Sequence, residues 1–408
     1  MAFGWRQAPA DAQQWTRLID SRVTYPGVGQ FERCFDISYD GTSIAFTGIT
    51  TSGTEGIFRY STATNQLQEV SVYGDAMPGS PTHQFEQFGP PIIDQGVLAF
   101  YGSTGLNGFD GLYEQVSSSA ALTRVADATS GLGTYFDTYD RPGLDAGTIA
   151  FVAHGGNLYT HDSTGYHFIL GQNTQMPGDT QNFSFVTKPA IENGEIVFVG
   201  LGGTGSPTEN GIYAWQNGTL RTVVNGLTSL PGGGVFQNEG TDDRLITLSG
   251  SSIQFDGLIN TSGPGVLATY VESSPGQLQR VYAYGDPYPA NPGVTIGGTG
   301  FQAYDDGVGV YDLDSASPNV FGLYYEVEDG PLLPLLTDGV FDGRQLSRLQ
   351  VVAGSFQNSE IAVDASFSDG SSGVYLVSVP VPEPATGVLA CMACVVPFMR
   401  NFGRRIGS

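Results

Sequence analysis

The passage Tyr73-Gly-Asp-Ala-Met-Pro-Gly79, then Phe85-x-x-Phe88, Pro91-Ile-Ile-Asp94, Gly96-Val-Leu-Ala-Phe100 and Gly111-Leu-Tyr113 decides the fold, because the chain repeats it. The same order returns as Gly171 to Gly178, Phe183 to Val186, Pro189-Ala-Ile191, Gly194-Glu-Ile-Val-Phe198 and Gly211-Ile-Tyr213. The Gly-apolar-aromatic landmark also stands at Gly56-Ile-Phe58, Gly322-Leu-Tyr324 and Gly373-Val-Tyr375. Asn157-Leu-Tyr159 fills a third slot, and a weaker match near Gly265-Val-Leu267 a fifth. That makes seven units, roughly 45 to 57 residues apart, and a period of this size signals a repeat architecture.

Each unit reads as four short strands. Ile149-Ala-Phe151, Ile196-Val-Phe198 and Ile361-Ala-Val363 are β-rich runs bounded by turn residues. Asp94-Gln-Gly96, Asp145-Ala-Gly147, Asn193-Gly194 and Asp306-Gly307 introduce them and supply the positive φ of tight hairpins. Apolar pairs at i, i+3 (Phe85/Phe88, Phe136/Tyr139, Phe301/Tyr304 and Leu346/Leu349) suit the space between neighbouring sheets. No useful stretch has helical periodicity. Seven four-stranded units predict an all-β, seven-bladed β-propeller spanning residues 15–379, after an N-terminal segment 1–14. The last unit stops at its third strand, and Trp15-Thr-Arg-Leu-Ile19 resembles the outer strand Leu122-Thr-Arg-Val125. The N-terminal strand is therefore expected to complete the seventh blade and remove an open edge.

Composition narrows the function. The 408 residues carry 40 acidic against 16 basic side chains, for a net charge of −24, and Lys188 is the sole lysine. Such a chain repels phosphate backbones, which excludes nucleic acid as a partner and leaves room for loosely held cations such as calcium. Cys34 stands alone in the repeats, and Cys391 and Cys394 fall in an apolar tail, so no disulfide framework can be drawn.

After Val379 the composition changes. Val381-Pro382-Glu383-Pro384 opens a rigid segment (380–386), Ala385 to Met399 is uncharged, and Arg400, Arg404 and Arg405 follow. The reading is a single apolar helix, 387–408, that anchors the chain in a membrane with its arginines on the cytoplasmic side. These ordered features resemble the PEP-CTERM sorting signal of bacterial exported proteins, and the repeats look like those of other proteins bearing it. The resemblance implies an exosortase-type membrane protease as partner, with cleavage near Pro382-Glu383-Pro384, and release to the cell surface or beyond. Met1 to Arg6 lacks the apolar core of a signal peptide, so the expectation is a start site further upstream.

Candidate chemistry is sparse. His154, His161 and His167 share the third unit, and His161 and His167 flank the turn Asp162 to Gly165 near Tyr159 and Tyr166. They are weak candidates for a metal site or a Tyr/His proton-abstracting pair. Asp312-Leu-Asp314-Ser-Ala-Ser317 offers alternating oxygens for calcium but no glycine bend or closing glutamate, so a solvated loop is expected. Asp242-Asp243 and Asp305-Asp306 occupy hairpin slots, and Gly297-Gly-Thr-Gly300 reads as an interblade loop without a phosphate-binding helix. No catalytic residues and no cofactor can be assigned. The expected role is an exported, non-catalytic binding module for a glycan or exopolysaccharide. The alternative is an extracellular carbohydrate-active enzyme, a lyase or hydrolase, on the same fold.

Overall fold

The computed structural model describes residues 14–380 except 106–109, 133–135, 137–139, 154, 203–209, 238–245, 261–265, 318–319 and 328–329. The sorting motif Val381 to Pro384, Arg400, Arg404, Arg405, the apolar tail with its cysteines, His154, Tyr139 and Asp242-Asp243 lie outside the described residues. No helix among the described residues is long and apolar enough to cross a membrane.

Seven antiparallel sheets form a ring, so the protein is a seven-bladed β-propeller. Their inner strands neighbour one another in order: Gly29–Tyr39, Ile92–Asp94, Gly143–Asp145, Phe185–Glu192, Thr247–Ser249, Asn291–Asp305 and Phe356–Gln357. The last then returns to the first. Apolar clusters fill the spaces between blades. One joins Ala45 and Ile57 of blade one to Phe85, Phe100 and Tyr113 of blade two.

The Gly-apolar-aromatic landmark begins the third strand, and its glycine has a steric cause. A Cβ on Gly56 would lie 2.6 Å from the Ser71 carbonyl oxygen, and one on Gly211 would lie 2.7 Å from that of Val224. The outer strand's backbone thus crosses where the side chain would be. Next to this crossing the outer strand skips one residue in every blade, a bulge that twists the sheet edge. The skipped residues are Leu18, Val70, Val125, Ile169, Val223, Val281 and Leu335. In blade five the bulge identifies Ala268-Thr269-Tyr270 as the landmark, not Gly265-Val-Leu267. The expected glycine is an alanine there, so the sequence match slipped by three positions.

Closure obeys the same rule. Trp15–Asp20 pairs with Ser372–Ser378, skips Leu18, and sets the Ile19 carbonyl 2.5 Å from a Cβ built on Gly373. The N-terminal strand is therefore blade seven's fourth strand in register as well as in position. Arg17 also bridges Asp342 at 3.0 Å, tying it to that blade's first hairpin.

The Gly-Asp-x-x-Pro-Gly motif turns between blades and plants an apolar plug there. Met77, Met176, Leu230, Tyr288 and Phe341 are buried in this role. Tyr288 meets the landmark ring Tyr324 edge-on at 5.4 Å, and Phe341 meets Tyr375 at 4.9 Å. The pair Phe85/Phe88 acts beside them, with Phe85 stacked on Phe88 at 5.3 Å and lying over Gly102, where a Cβ would be 2.4 Å away.

Two further expectations fail. Asp312 to Ser315 is not a solvated loop but the end of the strand Val308–Ser315, paired on both sides, which buries Asp312. Gly297 to Gly300 lies inside the strand Asn291–Asp305 and not in an interblade loop. A Cβ on Gly297 would be 2.5 Å from the Ala316 backbone, so close strand approach explains that glycine.

Gly373→Ala should drive a methyl group into the Ile19 carbonyl and destabilise the ring by about 1–3 kcal/mol, the usual cost of overpacking. Thermal denaturation measures this, and an unchanged midpoint would show that the N-terminal strand does not approach Gly373 as described.

Candidate functional site

Propellers present chemistry where strands from several blades converge, so the axis is where a site is sought. The inner strands end in tight hairpins at one mouth. The positive φ falls on the turn residues themselves: Gln95 and Gly96, Ala146 and Gly147, Asn193 and Gly194, Asp306 and Gly307. Asp94, Asp145 and Glu192 end their strands one position earlier. Sequence reading credited the leading aspartates with turn formation; their carboxylates in fact reach the neighbouring blade.

Asp40 accepts the Gly96 amide of blade two at 2.8 Å, and Asp94 accepts that of Ala146 in blade three at 2.8 Å. Asp145 accepts the Asn193 amide of blade four at 2.6 Å, and Glu192 that of Gly250 in blade five. The Ser249 hydroxyl accepts the Asp306 amide of blade six at 3.0 Å, and Asp305 that of Asn358 in blade seven at 3.2 Å. At the last junction Asn358 lies against Gly41, where a Cβ would be 2.4 Å from its amide nitrogen. Six of the seven junctions are thus held by a hydrogen bond from one blade to the next. The acids repel one another: burial, with Asp145 and Asp40 adding to it, pushes the Asp94 pKa up. Burial also raises that of Glu192, with Asp145, Asp305 and Asp94 contributing.

At the opposite end of the inner strands stands Arg141, which precedes blade three's inner strand and belongs to no motif of the repeat. Its guanidinium donates to the Ala353 carbonyl of blade seven and, at 3.3 Å each, to those of Asp36 and Ile37 in blade one. Reaching those blades from blade three means passing blade two inside the ring. Arg141 is 5 % exposed and its Nε has no partner among the described residues. Burial pulls its pKa down to about 10, and Asp36 opposes that, so it stays charged at neutral pH.

Three successive blades carry an aspartate at one register of the second strand: Asp256, Asp312 and Asp364, paired with Thr269, Leu323 and Val374. Burial lifts Asp312 well above the carboxylate range, and Asp314 adds to it. Burial pushes Asp364 up to about 7, against the pull of Arg348 and Arg33. Its Oδ1 is buried without a hydrogen-bond partner among the described residues. The free thiol of Cys34 in blade one, also raised by burial, lies within reach of its charge.

The two described histidines of blade three do not form a site. His161 faces Tyr166 across the strand pair, with rings 5.0 Å apart. His167 is opposite Thr160 and so points to the other face of the sheet. There its Nε2 contacts the Thr164 hydroxyl at 2.9 Å and Asp162 at 3.3 Å. Asp312 and Asp314 share one strand face with only Asp312 buried. Among the described residues no three His, Cys, Asp or Glu side chains are grouped to hold a metal ion.

No protein-family model matches the chain, and no curated protein does. Solved structures do. The β-propeller domain of the Trilobed protease from Pyrococcus furiosus is 10 % identical, covers 85 % of this chain and 93 % of that one, and superposes with a TM-score of 0.50. BamB from Moraxella catarrhalis (11 %, covering 85 % and 83 %, TM-score 0.40) and an ulvan lyase (10 %, covering 90 % and 96 %, TM-score 0.46) are more loosely similar. At such identities the likeness establishes the propeller and nothing about activity.

Asp364 yields a pH test. Its folded pKa of about 7 lies above the ordinary 3.8, so the neutral form is favoured in the fold. The contribution of Asp364 to stability is whole below about pH 4 and lost progressively as pH rises towards 7, by roughly 4 kcal/mol at 1.36 kcal/mol per pKa unit. Asp364→Asn should therefore match wild type in urea melts at pH 4 and exceed it at pH 8.5. Parallel profiles for the two proteins would contradict the placement of this carboxyl.

Proposed function

We propose that the chain is an exported, non-catalytic binding module whose propeller engages an extracellular glycan or exopolysaccharide and whose C-terminus is a PEP-CTERM-type sorting signal. The observation that supports it best is that the axis is committed to structure. At one mouth the hairpin carboxylates each hold a neighbouring turn, and at the other Arg141 spans the ring. Recognition is then left to the outer surface, as in a scaffold that binds rather than reacts. A net charge of −24 suits a soluble exported protein and steers the choice away from polyanionic partners. The sorting part rests on Val381-Pro382-Glu383-Pro384 and the arginines Arg400, Arg404 and Arg405, with an exosortase-type membrane protease as partner and the apolar tail as a membrane anchor before processing.

One observation favours a carbohydrate-active enzyme instead. Burial raises the Asp364 carboxyl to about 7, the range of a general acid, and its Oδ1 has no hydrogen-bond partner among the described residues. If a lyase or hydrolase activity is found and Asp364→Asn removes it while the fold survives, that reading replaces the first.

In a host carrying a matching exosortase, the wild-type protein should be exported and lose its C-terminus. Replacing Pro382 and Pro384 with alanine should leave a heavier, membrane-bound form on a blot. Recovery of wild type from the cytoplasm with Ser408 intact would overturn the sorting proposal. A glycan array with and without chelator tests the binding proposal, which predicts chelator-insensitive retention of at least one glycan.

A further inference from the structure

The seven blades can be compared with one another at a single position: the outer-strand residue directly opposite the landmark aromatic. It is Arg17, Glu69, Arg124, Thr222, Arg280 and Pro334 in six blades. In blade three it is Phe168, opposite Tyr159 and 59 % exposed. Six blades thus cover this edge with charged, polar or proline residues, which keeps an edge strand from sticking. Blade three breaks the pattern. Its outer strand, Gly165–Leu170, also exposes Tyr166 by 41 %, two residues away on the same face.

The rings form an array. Phe151 stacks on Tyr159 at 5.7 Å, and Tyr159 meets Phe168 edge-on at 5.6 Å. His161 lies beside Tyr166, whose hydroxyl donates to the Val125 carbonyl of blade two and fixes the ring. An aromatic ladder therefore runs from the buried interior of blade three to solvent, held rigid at its inner end. A contiguous exposed aromatic surface of this kind marks an interaction site, whereas a scattered apolar residue does not.

We infer that this outer edge of blade three is a stacking platform for a neutral polysaccharide, an inference that rests on the glycan-binding reading above. The C–H faces of a sugar ring carry a slight positive potential and suit the negative face of an aromatic ring. Tyr159, Tyr166 and Phe168 carry no cation that would select an acidic glycan, and the protein's charge of −24 repels one. The same charge opposes a second copy of the chain adding a strand to this edge.

The test is affinity electrophoresis of the full chain through gels containing soluble starch, hydroxyethyl cellulose or galactomannan, with polygalacturonate as the polyanion. At least one neutral polymer should retard wild type, and polygalacturonate should not. Phe168→Ala should weaken that retardation roughly ten-fold, the scale of one lost aromatic stacking contact. Phe168→Arg, the residue three other blades place there, should fold normally and bind no better than Phe168→Ala, while Phe168→Tyr should bind like wild type. Wild-type retardation that survives Phe168→Arg overturns this site and leaves the glycan-binding reading standing. Retardation by no neutral polymer overturns this site, while the glycan array decides the glycan-binding reading on its own. A dimer in sedimentation that Phe168→Arg dissolves would make the edge a self-interface and overturn the inference.

Discussion

A carboxylate at the end of one inner strand that accepts a backbone amide from the next blade's turn is the contact on which the ring depends. A propeller has no covalent hoop, and its inner strands are only a few residues long, Ile92–Asp94 and Gly143–Asp145 among them. Apolar packing between blades supplies most of the favourable free energy but is indifferent to small rotations of one sheet against another. A hydrogen bond to a charged acceptor, worth about 1.5–3 kcal/mol, is directional and fixes that rotation. The geometry is reciprocal with local sequence: two consecutive positive φ values turn an amide outward, and the preceding acid on the neighbouring blade receives it.

The outer edge works by a different rule. There, landmark glycines let the fourth strand's backbone cross close to the third, and a bulge follows in all seven blades. Because the N-terminal strand satisfies both conditions at Gly373, closure of the ring is an ordinary repeat whose last strand is supplied from the other end of the chain. The inner hydrogen bonds set the blade angles and the outer strand joins first blade to last. Arg141 braces the opposite mouth, where the inner strands begin.

Much of this was legible in the sequence. Gly56, Gly111, Gly211, Gly322 and Gly373 announce the blades because a single steric demand recurs at each. The resemblance of Trp15 to Ile19 to an internal outer strand carried the closure. Blade five was misplaced because Ala268 stands where other blades carry the landmark glycine, and a pattern keyed to glycine cannot register it. Asp312 misled because alternating acids look like a loop when the partner strands are out of view. Arg141 left no trace, since its partners are carbonyls, which any residue supplies, at separations of 104 to 212 residues. The roles of Asp40, Asp94 and Asp145 were half visible: the turn was expected, but nothing local tells a carboxylate which blade it will face. Phe168 could have been found by aligning the seven outer strands and asking which one lacks a polar residue.

Native-state hydrogen exchange at the inner turns tests the stapled ring most directly. Turn amides on a protein surface ordinarily exchange through small local openings. The amides of Gly96, Ala146, Asn193, Asp306 and Asn358 should instead exchange as slowly as those of buried strands such as Val97–Ser103, because freeing any of them requires two blades to part. Exchange as fast as at the outer hairpin amide of Gly218 would contradict the account, and the inner carboxylates would then be no more than turn residues.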